Sequence, residues 1–367
     1  MSCFSITGAI KNYAWGSRDY IKSLLSIESH GPLAEYWLGT HFLGEAKTED
    51  GILLSEKIGH RLSFLFKVLA ISTPLAIQCH PSKSQAQEGY LKESLLSLDD
   101  EERNYPDDSE KTEVVIALSD FTALHGFLPL ERIKENLSSF VPELFGKIKD
   151  SSSIKEVLET ISNLSKEETS KILSQLEEKT GNTPPLSFTL GPKELCALCL
   201  SLYSDDIWCI SPLLMNVVNL KANESLFIKP GIVHAYCRGN CLEIMTSSDN
   251  MTRLGLTKRH VDEKEFLKIA YLDSTPSLFL EAMETEEGAF SYSYKEAPFS
   301  LIRYEKGIHT LPRIKDGIIF SIEGKAILKK EDEEIEVGKG EAYYVGEDDK
   351  MMIEAQGSIF FAYGDCL

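Results

Sequence analysis

Apolar and polar positions alternate with a period of two over most of this chain, and in one central stretch the period lengthens to that of a helix. Within residues 1–127, short apolar runs such as Phe64-Leu65-Phe66-Lys67-Val68-Leu69, Leu75 to His80 and Val114-Val115-Ile116-Ala117-Leu118 predict strands. From 128 to 204 the spacing changes. Leu130, Ile133 and Leu137, then Ile154, Val157, Leu158 and Ile161, then Ile172, Leu173 and Leu176, recur three and four apart among charges. That spacing lines one face of a helix and predicts an inserted helical domain, interrupted at Gly181-Asn182-Thr183-Pro184-Pro185. Strands resume at Met215 to Leu220 and Glu224 to Ile228. Residues 286–367 are short strands and glycine turns, including Gly317 to Gly324, Ala342 to Val345 and Ile359 to Tyr363, which predict an antiparallel sandwich or jelly roll.

The expected organisation is mainly β with an inserted α-helical domain. Residues 1–127 with 205–285 form a discontinuous β domain, 128–204 the helical insert, and 286–367 a C-terminal β domain. An internal echo links the two β parts. Asn223-Glu224-Ser225-Leu226-Phe227-Ile228 matches Gly340-Glu341-Ala342-Tyr343-Tyr344-Val345 in pattern, and without gaps His234 then falls where the second copy has Met351. The echo reads as two related barrels, of which only the first keeps metal ligands.

Length supports more than one core, since 367 residues exceed what a single hydrophobic core organises. No apolar run is long enough to cross a bilayer, and Met1 to Thr7 has neither a basic start nor an apolar signal core, so a cytoplasmic protein is expected. The eight cysteines (Cys3, Cys79, Cys196, Cys199, Cys209, Cys237, Cys241 and Cys366) then read as buried thiols, with the Cys196/Cys199 pair on a packed helix. The net charge of -19 argues against nucleic-acid and membrane partners. An anionic ligand would have to be met by cations gathered locally.

Candidate chemistry begins at Leu75 to His80. In an extended strand Leu75, Ile77 and Cys79 take one face while Gln78 and His80 share the other, with Pro81 closing the strand. Lys111 and Glu113 share parity at the mouth of the next strand. The turn Lys229-Pro230-Gly231 sets His234 at the start of another. Gln78, His80, Glu113 and His234 together offer two imidazole nitrogens, a carboxylate and an amide oxygen, a set suited to zinc or another divalent first-row ion with an open position. Downstream, Glu243 emerges from a strand and the polar loop Thr246 to Arg253 carries Asp249 and Arg253. Lys67, Lys83, Lys111, Arg253, Lys258 and Arg259 all lie near these segments and form the positive patch an anionic substrate needs.

In order along the chain, Asn12-Tyr13-Ala14-Trp15-Gly16-Ser17, Pro32 to His41, Leu65 to Leu69, Gln78 to Pro81, Lys111 to Glu113, Pro230 to Tyr236 and Ser248 to Thr257 resemble type I phosphomannose isomerase of the cupin superfamily. The resemblance implies two cupin-type jelly rolls around the helical insert and one Zn2+ per chain on Gln78, His80, Glu113 and His234. It also implies interconversion of mannose 6-phosphate and fructose 6-phosphate through a cis-enediol. Three positions depart from the family pattern: Ala76 where Ser is usual, Glu110-Lys111-Thr112-Glu113 where His-Lys-Pro-Glu is usual, and Phe42 where Pro often follows Gly-Thr-His. The missing hydroxyl at Ala76 bears on the phosphate contact.

On this reading Arg253 stabilises developing negative charge or the phosphate, Lys111 is a second catalyst near the metal, and Glu243 and Asp249 compete for proton transfer. Lys67, Lys83, Lys111 and Arg253 are the expected substrate-binding cations. The expected partner is a small sugar phosphate, and the expected assembly a monomer or weak homo-oligomer. A catalytically silent sugar-binding or regulatory cupin, another cupin sugar-phosphate isomerase and a metal-dependent oxygenase are the alternatives.

Overall fold

The computed structural model describes residues 3–364 apart from 186, 188, 278, 332 and 348–350, so Cys366 lies outside the described residues. Strands gather into two large sheets, one of eleven strands and one of nine. The predicted runs fold as Phe64–Ile71, Ile77–Cys79, Glu113–Ala117, Met215–Leu220 and Ser225–Ile228. The helical spacing folds as Leu130–Phe140, Pro142–Ile148, Ile154–Ser162, Lys166–Thr180 and Pro192–Leu202, with the Gly181 segment ending the fourth. Cys196 and Cys199 are buried, unbridged thiols on the last of these helices. Among the described residues, no helix is long and apolar enough to cross a membrane.

Side-chain parity explains how the layers stack. The strands Glu35–Gly39, Phe64–Ile71, His234–Thr246 and Glu113–Ala117 lie side by side and antiparallel. Directly paired residues share a face. Tyr36, Leu38, Phe66, Val68, Val114, Ile116, Leu242 and Ile244 point one way and pack against Ile318, Phe320, Phe360 and Ala362 of the nine-stranded sheet. Glu35, Trp37, Lys67, Glu113 and Glu243 take the other face, toward the interior of the first β unit. Ile77 and Cys79 pack outward onto the helices, together with Leu124, Val233 and Ala235. Leu75 does not join them. It precedes the strand and packs against the interior cluster of Leu69, Ile71, Val115 and Tyr236.

One long strand, His234–Thr246, serves both halves of that interior. Its first residues pair with Ile77–Cys79 and Phe121–Phe127, its last with Phe64–Ile71 and Glu113–Ala117. A register shift between Tyr236 and Arg238 reverses parity, so His234 and Tyr236 face inward on even numbers and Glu243 on an odd one. Gly239 makes the passage possible. Its φ is +118°, and a Cβ there would lie 2.4 Å from the Asp120 carbonyl oxygen.

The first strand, Cys3–Thr7, pairs with Ala342–Gly346 and so completes the nine-stranded sheet rather than the eleven-stranded one. No local pattern distinguishes which sheet takes such a strand.

Candidate metal centre and active site

Strand register assembles the site. Arg253 pairs with Gln78, Gln78 with His234, and His234 with His125, so four adjacent strands present these side chains in one row. A second row is Trp37, Lys67, Glu243 and Val115. Glu113 opens its strand opposite Met245 and Ile228.

His80, Glu113 and His234 are buried, and their ligand atoms lie within 4.8 Å of one another. Both imidazoles are oriented from behind. His80 Nδ1 donates to the Asn250 carbonyl (2.9 Å) and His234 Nδ1 to the Ile232 carbonyl (3.0 Å), which leaves each Nε2 with a lone pair facing the cluster. Burial, with Lys111 nearby, holds His80 below the usual imidazole range. Burial and then His80 push His234 down to about 4. For Glu113 burial alone would raise the carboxyl, but Lys111, His80 and His234 outweigh it and hold it well below the usual carboxylate range.

These states leave a gap in the hydrogen bonding. His80 Nε2 is buried with no hydrogen-bond partner among the described residues, yet it stands 3.2 Å from Glu113 Oε1, and His234 Nε2 is 3.6 Å from Oε2. Lone pairs of two neutral imidazoles and an ionised carboxylate face one another with no proton to share. Bonds of about 2.0–2.2 Å to a tetrahedral ion place its donors about 3.3–3.6 Å apart, so the spacing fits a shared cation. Gln78 now donates from Nε2 to His234 Nε2 (3.1 Å), and a half-turn of its amide presents Oε1 in the same place. The donor set fits a zinc ion held by Gln78, His80, Glu113 and His234.

Around the donors lies a chain of buried charges. Lys111 Nζ is 3.0 Å from Glu113 Oε1. The Tyr236 hydroxyl is 2.8 Å from both Glu113 Oε2 and Glu243 Oε1, and Lys67 Nζ is 3.0 Å from Glu243 Oε2. Burial alone would lower Lys67, but Glu243, then Glu35 and Glu113, hold it raised and charged. Burial raises Glu35, which accepts from the Trp37 indole.

The loop carrying Asp249 is pinned from below. Asp107 accepts from Ser248 Oγ (3.0 Å) and the Asp249 amide (2.9 Å), and its carbonyl accepts from Asn250 Nδ2 (2.8 Å). That anchoring aims the Asn250 carbonyl at His80. Asp249 itself stands 3.2 Å from His41 Nε2.

Arg253 is partly buried beside Arg259, and burial, then that second positive charge, push its guanidinium down to about 10. Neither arginine has a carboxylate partner among the described residues. Arg259 instead lies 5.4 Å from the Tyr13 ring centre. Lys83 stands apart, exposed on the first turn of the helix Lys83–Ser94 and bonded to the Asp108 carbonyl (2.8 Å).

The family described as phosphomannose isomerase type I, catalytic domain, matches residues 3–130. Mannose-6-phosphate isomerase of Escherichia coli strain K12 is 30% identical over 93% of this chain and 94% of its own length. This chain belongs to the type I phosphomannose isomerase family. The Homo sapiens mannose-6-phosphate isomerase is 30% identical over 82% of both chains. A crystal structure of a zinc-bound mannose 6-phosphate isomerase superposes with a TM-score of 0.90 at 26% identity, covering 100% of each chain. The apo enzyme from Salmonella typhimurium also superposes with a TM-score of 0.90. With the family comes the fold class: mainly β, an inserted helical part and two cupin-type jelly rolls.

Within this phosphomannose isomerase fold, sequence reasoning missed Tyr236, Glu35, His41 and the Asn250 carbonyl as parts of the site. Tyr236 had a signal: two residues beyond His234 on one strand, it shares that inward face. His41 enters the sequence pattern only as the end of the Pro32 to His41 motif. A backbone carbonyl that orients a ligand leaves no trace in composition or spacing.

Proposed function

We infer that this chain is a zinc-dependent isomerase that interconverts mannose 6-phosphate and fructose 6-phosphate, with the metal on Gln78, His80, Glu113 and His234. The observation that carries the residue assignment is the buried, unpartnered His80 Nε2 facing an ionised Glu113. Bound zinc supplies Lewis acidity that lowers the cost of negative charge on the substrate's oxygens. Glu243 is the proton-transfer base: it takes the proton from C2 of the aldose and returns it at C1 on the same face, while a second proton passes from the C2 hydroxyl oxygen to the C1 oxygen. Lys67 pairs with that carboxylate and aims it, and Tyr236 ties it to the metal ligand Glu113. Lys111 neutralises Glu113 and presents its remaining N–H groups to the substrate.

Asp249 stands beside His41 at the edge of the site. Arg253, lacking a carboxylate partner, binds the phosphate, and Arg259 beside it supplies a second guanidinium where Ala76 has no hydroxyl to offer. Residues 1–127 with 205–285 form the catalytic jelly roll, except that the strand Cys3–Thr7 joins the C-terminal jelly roll of 286–367, and 128–204 form the helical insert.

A coupled assay with mannose 6-phosphate, before and after chelation, tests the reading. Turnover should vanish with the metal and return with zinc. Arg253→Ala should keep bound zinc and lose at least about a hundredfold in kcat/KM. Activity that survives complete metal removal would contradict the assignment.

A further inference from the structure

Two large apolar side chains, Phe42 and Leu43, are 61% and 56% exposed at the centre of a tight turn closed by the Gly44 amide on the His41 carbonyl (2.9 Å). Turn centres favour Gly, Pro, Asn and Asp, so local chemistry gives no reason for a Phe-Leu pair here. The turn is nonetheless firmly held. The Leu43 amide donates to His41 Nδ1 (3.3 Å), and Lys11 donates to the Leu43 carbonyl while lying 4.4 Å from the Trp37 ring centre.

The turn also borders the site. The Phe42 ring stacks on the His41 imidazole at 4.8 Å and 25°, and His41 meets Trp37 edge-on at 5.2 Å. Lys67 Nζ lies 5.0 Å from that same indole. With Nδ1 accepting from Leu43, His41 keeps its proton on Nε2, toward Asp249. A ladder of rings therefore climbs from Lys67 at the bottom of the site to Phe42 at its rim.

We propose that Phe42 is a specificity-determining residue of the isomerase, its exposed ring being the apolar wall against which the C–H surface of the hexose phosphate packs. The reading rests on the sugar-phosphate isomerase function given above. The residues assigned to the substrate there are charged: Lys111, Glu243, Arg253 and Arg259. They recognise hydroxyls and phosphate and offer nothing to a sugar's C–H face. Small-ligand sites combine such groups with apolar surface, and a rigid aromatic ring supplies it at low entropic cost. The Pro that often follows Gly-Thr-His in the family has no aromatic face, so the contact belongs to this chain.

Steady-state kinetics on zinc-loaded Phe42→Ala, Phe42→Pro and Phe42→Trp tests the proposal, with zinc content confirming an intact site. The Ala and Pro variants should raise KM for mannose 6-phosphate about three- to tenfold with kcat within about twofold, and Trp should restore KM. Calorimetric affinity for mannitol 1-phosphate, which cannot isomerise, should fall by the same factor. Unchanged KM and affinity would make the ring a bystander. A fall in kcat at constant KM would make it a prop for His41, and either result overturns the proposal. Failure of the unaltered enzyme to turn over or bind these compounds would instead remove the functional reading, and this contact with it.

Discussion

Between the strands Phe64–Ile71, His234–Thr246 and Glu113–Ala117 the interior holds Lys67, Glu243 and Glu113, whereas between Asp316–Lys330 and Met352–Gly364 the core holds Ile319, Leu328, Ile353, Ile359 and Phe361. The two units share local geometry. The turns entering Ser225–Ile228 and Ala342–Gly346 both pass through a left-handed residue, Asn223 at φ 73° and Gly340 at φ 80°. Where the first unit continues to His234, the second has buried Met351. Buried basic side chains of the C-terminal unit lead out toward water: Arg303 pairs with half-buried Glu305 and His309 with exposed Glu286. In the first unit Glu113 and Glu243 are as buried as their partners. An apolar interior folds by burial alone, while a charged one needs each ion matched and hydrogen-bonded, so the first unit is folded around chemistry and the second around hydrocarbon.

The sharpest break in that contrast is Glu243→Gln, which keeps the shape and removes the proposed base. Turnover should fall about 10²- to 10⁴-fold, with loss of solvent deuterium incorporation into product. Asp249→Asn should retain the exchange. Equal incorporation in wild type and Glu243→Gln would move the base elsewhere.

A smaller break comes from acid. His125 is fully buried next to His234 in register, donates from Nε2 to the Phe227 carbonyl (3.3 Å), and leaves Nδ1 without a partner among the described residues. Burial, then His234, pushes it from 6.5 down to about 4. Between those values the unfolded chain binds more protons than the folded one, so stability is lost as pH falls from about 6.5 toward 4. The contribution of this one group is about 3 kcal/mol. Melting curves of zinc-loaded protein from pH 7 to pH 4.5 should show a shallower acid limb in His125→Leu than in wild type. Parallel limbs would mean that His125 is already protonated when folded.

Legibility followed periodicity. Strands whose two faces meet different surroundings, such as Phe64–Ile71, and helices with a clear stripe, such as Ile154–Ser162, were readable because burial imposes the pattern. Parity puts Gln78 and His80 on one face, and in the structure His80 joins the cluster with Glu113 and His234 while Gln78 bonds His234. Parity failed where the backbone breaks it. The register shift after Tyr236 and the bend at Gly239 turn Glu243 into the same interior as Tyr236, seven residues and one change of parity away. Leu75 went the other way because it precedes the strand. Pairing of Cys3–Thr7 with Ala342–Gly346 joins residues more than three hundred positions apart, beyond any local signal.

Lys83 probes the edge of the charged interior, and its effect should be the smallest. It sits three residues beyond His80 at the start of a helix, where the N-terminal end of the helix dipole adds to its positive charge. Exposed and tied to Asp108, it is screened by water as the buried lysines are not. In a chain of net charge -19 any cation near the mouth weakens the repulsion felt by an arriving phosphate. Lys83→Ala should therefore raise KM by less than about threefold at low salt, leave kcat unchanged, and become indistinguishable from wild type above about 0.5 M salt, where screening acts within a few ångströms. A KM effect that persists at that salt would mean direct contact with the phosphate, and would extend the site from its buried interior onto the helix surface.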